Sequence, residues 1–218
     1  MFPKVSEQRI IYSVEPDDSD EYTSQLDRQY SRYARAYDIG VKRLPVWKTW
    51  IKSVIPLIEG TKVLEVSFGT GYLLTQYAGQ FDTNGIDFNP DMVITAQQNL
   101  RTCGIDAKLQ QANAESLPYQ DCIFDTIINT MAFSGYPNGQ KVMSEFYRVL
   151  KPGGLLLIVD FEYPENRNIF GFALTKLMER GGDTIRELSA LLRQSDFDFS
   201  EKEIGGFGSV HQYVARKN

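Results

Sequence analysis

The 218-residue chain has little that could staple it or anchor it. It carries two cysteines, Cys103 and Cys122, too few for a disulfide framework; reduced thiols are the expectation. Its single histidine, His211, excludes a histidine-rich metal centre, and no metal site is expected. The longest purely aliphatic run is Leu155 to Val159, far short of the roughly 20 residues a membrane-spanning helix needs, so contact with a membrane is expected to be peripheral at most. The first residues lack the charged-then-apolar order of a signal peptide. With reduced thiols, this predicts a cytoplasmic protein. A net charge of −5 supplies no excess of cations for a nucleic-acid backbone, although Lys42, Arg43 and Lys48 gather in one segment. No internal repeat or low-complexity linker divides the chain.

What is present is ordinary globular material. Hydrophobic residues make up 42% and charged residues 23%, which suffices for a sizeable core without staples. Residues 1–20 are polar and end in an acidic cluster, Glu15, Asp17, Asp18 and Asp20; they read as a mobile arm. Residues 21–58 read as two helices, within a lid segment of 21–60. Tyr22, Leu26, Tyr30, Tyr33 and Tyr37 recur on one helical face, and Pro45 and Trp47 open a second apolar-periodic stretch to Ile58, with Gly60 as its stop.

From Thr61 onwards short β-rich runs alternate with helical patterns. Strands are expected at 62–66, 84–87, 107–111, 123–129 and 155–160. Helices are expected at 71–79, at 89–103 with Asn89 as N-cap and Pro90 first in the helix, at 141–150, and near 168–180 and 184–194. The runs 197–203 and 207–215 read as an antiparallel pair closing the sheet. Such alternation predicts an α/β fold: a Rossmann-like, mostly parallel seven-stranded sheet with helices on both faces, an antiparallel last strand and an N-terminal helical lid. Ligands in these sheets bind beyond the carboxyl ends of the strands.

The first strand runs into Glu65-Val66-Ser67-Phe68-Gly69-Thr70-Gly71. Its glycines allow a tight turn and close approach to a ligand. A dinucleotide fingerprint needs a third glycine where Leu74 stands, and a phosphate-binding loop needs a Gly-Lys-Ser/Thr ending that is absent. Asp87 ends the second strand at the distance from the turn where a carboxylate takes ribose hydroxyls. The pattern suits an adenosine-like ligand without phosphates.

Val63 to Gly71 resembles the first motif of class I S-adenosylmethionine-dependent methyltransferases. The likeness continues through Gly85-Ile86-Asp87, Ala112 to Tyr119, Phe124-Asp125 and Arg148 to Gly154, and its nearest form is the ubiquinone/menaquinone C-methyltransferase-like (type 11) family. The resemblance implies S-adenosylmethionine as cofactor. It implies that Glu65 and the Ser67-Phe68-Gly69-Thr70-Gly71 turn hold the methionine part, that Asp87 takes the ribose, and that Phe88 lies beside the adenine. Asn113, where the family has Asp, would accept from the adenine amino group, with the Ala114 N–H and Glu115 at the ring; Asn129 and Thr130 would flank the methyl donor. Ser67 and Phe68 depart from the family's usual glycine and small residue. The resemblance also favours a lid in residues 21–60, with Tyr30 or Tyr33 orienting the acceptor. Residues 61–218 form the cofactor-binding domain.

Methyl transfer needs an aligned nucleophile, exclusion of water and, for some acceptors, a base. His211 is a candidate base, against the alternative of a strand residue bonded to backbone. Phe133, Tyr136, Phe161, Tyr163, Phe170 and Phe172 follow the fourth and fifth strands; they suggest an apolar, aromatic or lipid-like acceptor, against ordinary core packing. Residues 168–178 form an amphipathic stretch that could touch a membrane. A quinone precursor and an amine headgroup of the phosphatidylethanolamine kind are both compatible acceptors. A non-catalytic cofactor-binding module remains the alternative of a different class, and Leu74 argues against a nicotinamide dehydrogenase.

Overall fold

Local sequence signals and long-range pairing together build one sheet. The computed structural model describes residues 10–14, 16, 21–22 and 45–218. Tyr30, Tyr33 and Tyr37 of the expected lid, and Lys42 and Arg43 of the basic segment, lie outside the described residues. Helix α1 spans Pro45–Lys52. A 3-10 turn at Ile55–Leu57 follows because Pro56 lacks the N–H that would continue an α-helix. Strand β1 spans Lys62–Val66, α2 Leu74–Tyr77, β2 Asp82–Asp87, α3 Pro90–Thr102, β3 Lys108–Gln111 and β4 Phe124–Thr130. Then come α4 Gly139–Val149, β5 Leu150–Phe161, α5 Ile169–Arg180, α6 Leu188–Gln194, β6 Phe197–Gly205 and β7 Val210–Lys217.

The sheet has seven strands in the order β3-β2-β1-β4-β5-β7-β6. The first five are parallel, and β7 inserts antiparallel between β5 and β6. Along β5 the side chains alternate in period two. Leu155, Leu157 and Val159 pack with α2 and α3 on one face; Leu156 and Ile158 pack with α4 and α6 on the other. Both faces are covered, as parallel sheets require. Strand order reverses between β1 and β4, which places the ligand crevice at their carboxyl ends.

Several boundaries differ from the sequence expectation, each for a physical reason. The expected helix over 71–79 is confined to Leu74–Tyr77 and a 3-10 turn at Ala78–Gln80, because the Thr83 hydroxyl donates to the Ala78 carbonyl at 3.1 Å. The expected 184–194 helix begins only at Leu188. Before it the backbone is tied elsewhere: Thr184 N donates to Ser134 O at 2.7 Å and Ile185 N to Ser13 Oγ at 3.1 Å. Pro152-Gly153-Gly154, which would be expected to end the 141–150 helix, lies inside β5, at a shift in the β4–β5 register. Residues 10–14, read as part of a mobile arm, are docked: Ser13 N donates to Ile185 O at 3.0 Å and Ser13 Oγ to Glu179 at 2.7 Å. Asn89 caps α3 as expected, accepting from the Asp91 and Met92 N–H groups.

Gly71 has φ +74°, and a Cβ there would lie 2.8 Å from the Ala96 Cβ on α3. Gly71→Ala is therefore expected to destabilise the fold by about 2–4 kcal/mol, combining left-handed strain with overpacking. Urea unfolding checks this; an unchanged midpoint would show that the turn can shift away from α3.

Candidate active site

The β1–α2 turn bends through three left-handed residues, Ser67 (φ 59°), Gly69 (φ 55°) and Gly71 (φ 74°). A Cβ built on Gly69 meets no atom within 4 Å, so this glycine opens onto free space. That space is a cleft, open to solvent, lined by Trp47, Ile51, Glu65, Ser67, Phe68, Gly69, Thr70, Tyr72, Leu73, Thr130 and Met131. Among the described residues of that lining, Glu65 is the only acidic or basic side chain, so no cation there favours a phosphate and its carboxylate form favours a cationic ligand.

Glu65 is 2% exposed and accepts from the Tyr77 hydroxyl at 2.9 Å. Burial pushes its carboxyl up to about 8; the Tyr77 hydrogen bond opposes this, and Asp87 nearby adds to it. Asp87 is buried at the end of β2. Its Oδ2 accepts from Gly69 N–H at 2.8 Å and its Oδ1 from Asn89 N–H at 2.9 Å. The carboxylate thereby joins the glycine turn to the start of α3. Phe88 beside it is 40% exposed, a flat apolar surface next to a ribose-type acceptor.

Ser67 holds a conformation that favours glycine, supported by a hydrogen-bonded chain. Its Oγ and the Tyr136 hydroxyl are 2.8 Å apart. Asn129 Nδ2 donates to that hydroxyl at 2.8 Å and to Val66 O at 3.0 Å. Phe68 turns inward, against Gly85 on β2, where a Cβ would come within 2.8 Å of the Phe68 ring. The ring therefore fills space beneath the turn rather than the cleft above it.

The remaining expected site residues divide. Thr130 lines the cleft. Asn129 is fully buried and braces the turn from below. Asn113 Oδ1 accepts from Glu115 N–H at 2.9 Å, and Ala114 is buried beside it. Glu115, expected at the cofactor, instead turns to the start of α4, where it accepts from Asn138 N–H at 3.1 Å and pairs with Lys141 at 3.5 Å; a carboxylate is favoured at a helix N-terminus. His211, the candidate base, is 2% exposed, is not among the cleft residues, and has both ring nitrogens engaged by Glu201 and Gly208 O. Phe133, Tyr136, Phe161 and Tyr163 are core residues rather than cleft walls, and Phe161 backs Trp47 at 6.1 Å between ring centroids.

The sequence reading did not place Trp47, Ile51, Tyr72, Leu73 and Met131 at the site. Trp47 and Ile51 lie four residues apart on α1, so their shared face was legible; what that face covers was not. The loop after β4 is set by Asp160, whose carboxylate accepts from Phe133 N–H at 2.6 Å and Ser134 N–H at 3.1 Å.

An S-adenosylmethionine-type ligand fits these residues. The open side of Gly69 offers backbone at close range, Glu65 faces a cationic group, and Asp87 and Phe88 suit a nucleoside. No helix among the described residues is long and apolar enough to cross a membrane. Comparison with known proteins agrees with this chemistry. A methyltransferase-domain family model matches residues 64–158. The chain is similar to the ubiquinone/menaquinone biosynthesis C-methyltransferase UbiE of Marinomonas sp., 30% identical over 80% of this chain and 78% of that protein. The Klebsiella pneumoniae subsp. pneumoniae protein of the same name is also 30% identical, over 80% and 76%. Among solved structures, an S-adenosylmethionine-dependent methyltransferase of Thermotoga maritima superposes with a TM-score of 0.70 at 19% identity, covering 87% of this chain and 98% of that one. The [4+2]-cyclase SpnF superposes at 0.64 and 18%, covering 96% and 87%. The chain is an S-adenosylmethionine-dependent methyltransferase of class I, and it belongs to the ubiquinone/menaquinone C-methyltransferase-like (type 11) family.

Proposed function

We propose that this enzyme methylates an apolar, ring-bearing acceptor of the quinol type, bound in the cleft between the glycine turn and α1. The observation that carries this reading is the cleft lining. Trp47, Ile51, Tyr72, Leu73 and Met131 make much of the lining apolar, which suits a flat hydrophobic ring better than a charged headgroup. The names of the relatives point to the same acceptor class.

S-adenosylmethionine supplies a methyl group on a sulfonium, already bonded to a good leaving group. The chain's own contribution is then binding, alignment and exclusion of water. Glu65 holds the cationic end, Asp87 the ribose, Phe88 and the Asn113-Ala114 loop the adenine, and Thr130 the region near the methyl. Residues 21–60 act as the lid, as the position of Trp47 and Ile51 on the cleft supports; the lid residues Tyr30 and Tyr33 orient the acceptor. The domain proper is 61–218, and residues 1–20 lead into it.

Incubation with methyl-labelled cofactor tests this. Label is expected in a demethylated menaquinol-type acceptor and not in phosphatidylethanolamine vesicles; the reverse would replace the quinol reading with an amine one. Trp47→Ala is expected to raise KM for the acceptor by about tenfold, the loss of roughly 1–3 kcal/mol of apolar contact, with cofactor affinity within about twofold of wild type. Equal KM values would remove α1 from the acceptor site.

A further inference from the structure

Away from the cleft, three metal-ligating side chains converge where the sheet turns antiparallel. Glu162 follows the end of β5, Glu201 lies on β6 and His211 on β7. One ligand atom from each lies within 4.8 Å of the other two. Glu162 and His211 are 5% and 2% exposed, and none of the three lines the cofactor cleft.

The histidine is oriented as a ligand is. Its Nε2 lies 2.8 Å from the Gly208 carbonyl, which only accepts, so Nε2 carries a proton. Nδ1 is therefore the atom that faces the carboxylates, 2.6 Å from Glu201 Oε1. A backbone carbonyl fixing the distal nitrogen is the usual partner of a metal-bound histidine. Glu162 is held in the same way: the Tyr213 hydroxyl donates to its Oε2 and Tyr12 donates to its Oε1 at 3.2 Å. Charge points in the same direction. Two carboxylates, one buried and one half-buried, meet a single imidazole here, which can supply at most one positive charge. One divalent cation with neutral imidazole balances both.

We infer that Glu162, Glu201 and His211 form a binding site for a divalent transition metal of the zinc type. One nitrogen and two carboxylate oxygens match zinc's ligand preferences, with bonds of about 2.0–2.2 Å, and not the all-oxygen shells of magnesium or calcium. The displaced Nδ1 proton leaves to solvent as the metal binds. Glu201, whose side chain is 23% exposed, gives the way in. The bound ion ties β6 and β7 to the end of β5, and through Glu162 and Tyr12 to residues 10–14.

The test uses the full chain, stripped with chelator and dialysed. Titration with Co²⁺ is expected to produce the visible absorption of a four-coordinate site, saturating at one equivalent, and Zn²⁺ is expected to displace it. Glu201→Gln keeps the shape and a partly exposed position, so it is expected to fold normally and to bind roughly tenfold or more weakly, with cofactor affinity unchanged. His211→Asn is expected to abolish the absorption band. A wild-type chain that gives no band and binds no stoichiometric Zn²⁺ would overturn the site and leave a shared proton as its occupant. Glu201→Gln binding Co²⁺ as tightly as wild type would overturn it equally.

Discussion

Asp87→Ala is expected to weaken S-adenosylmethionine binding by about 2–3 kcal/mol, roughly 30–150-fold. Two losses combine. The carboxylate already accepts from Gly69 and Asn89 N–H groups, so its removal strips two donors and loosens the turn. It also removes the oxygens assigned to the ribose hydroxyls. Asp87→Asn is milder: it keeps the size and one acceptor but turns an NH2 toward one of the two N–H donors, so it is expected to lose a little stability and to bind about tenfold more weakly. Titration calorimetry with S-adenosylmethionine and its demethylated product measures both variants. Unchanged affinity in Asp87→Ala would show that the ribose lies elsewhere.

The second large effect concerns Glu65 and has a pH signature. Its carboxyl sits near 4.5 in an unfolded chain and is pushed up to about 8 in the fold, by burial first and by Asp87 next, against the Tyr77 hydrogen bond. The folded chain therefore holds this proton more tightly. By linkage its contribution to stability is complete below about 4.5 and is lost as pH rises through about 8. Over the same window the ionised form appears, which is the form that attracts a cationic ligand. Cofactor affinity is thus expected to rise between about pH 6 and 9 while the stability of the empty protein falls. Glu65→Gln should flatten both trends. It should also weaken binding by about 1.5–3 kcal/mol, the worth of a hydrogen bond to a charged group. Melting and calorimetry across that range decide the matter; a variant retaining the wild-type rise in affinity would assign the titration to another group.

The fold alone does not choose the reaction, as the superposition on a [4+2]-cyclase illustrates. The choice lies in the cleft: in this chain, one buried carboxylate among largely apolar lining residues. Ser67 and Phe68, the departures from the family's pattern, leave that cleft open. Phe68 fills space below the turn, and Ser67 is bonded to the Tyr136 hydroxyl, which in turn accepts from Asn129.

Much of this was legible in the chain, because its causes are local. Period-two apolar runs specify strands. Asn89 followed by Pro90 specifies a helix start, and glycines at positive φ specify the turn after β1; each depends on neighbours a few residues apart. The acidic residue ending β2 follows from the same local order. What only the tertiary structure decided depends on residues distant in sequence and close in space. Trp47 and Thr130 come to line one cleft, Asp160 sets the loop at Phe133, and Glu115 turns away to α4. His211 leaves the active site to join Glu162 and Glu201. No local pattern encodes such meetings, because they arise when helices and strands far apart in the chain pack against one another and buried polar groups must find partners.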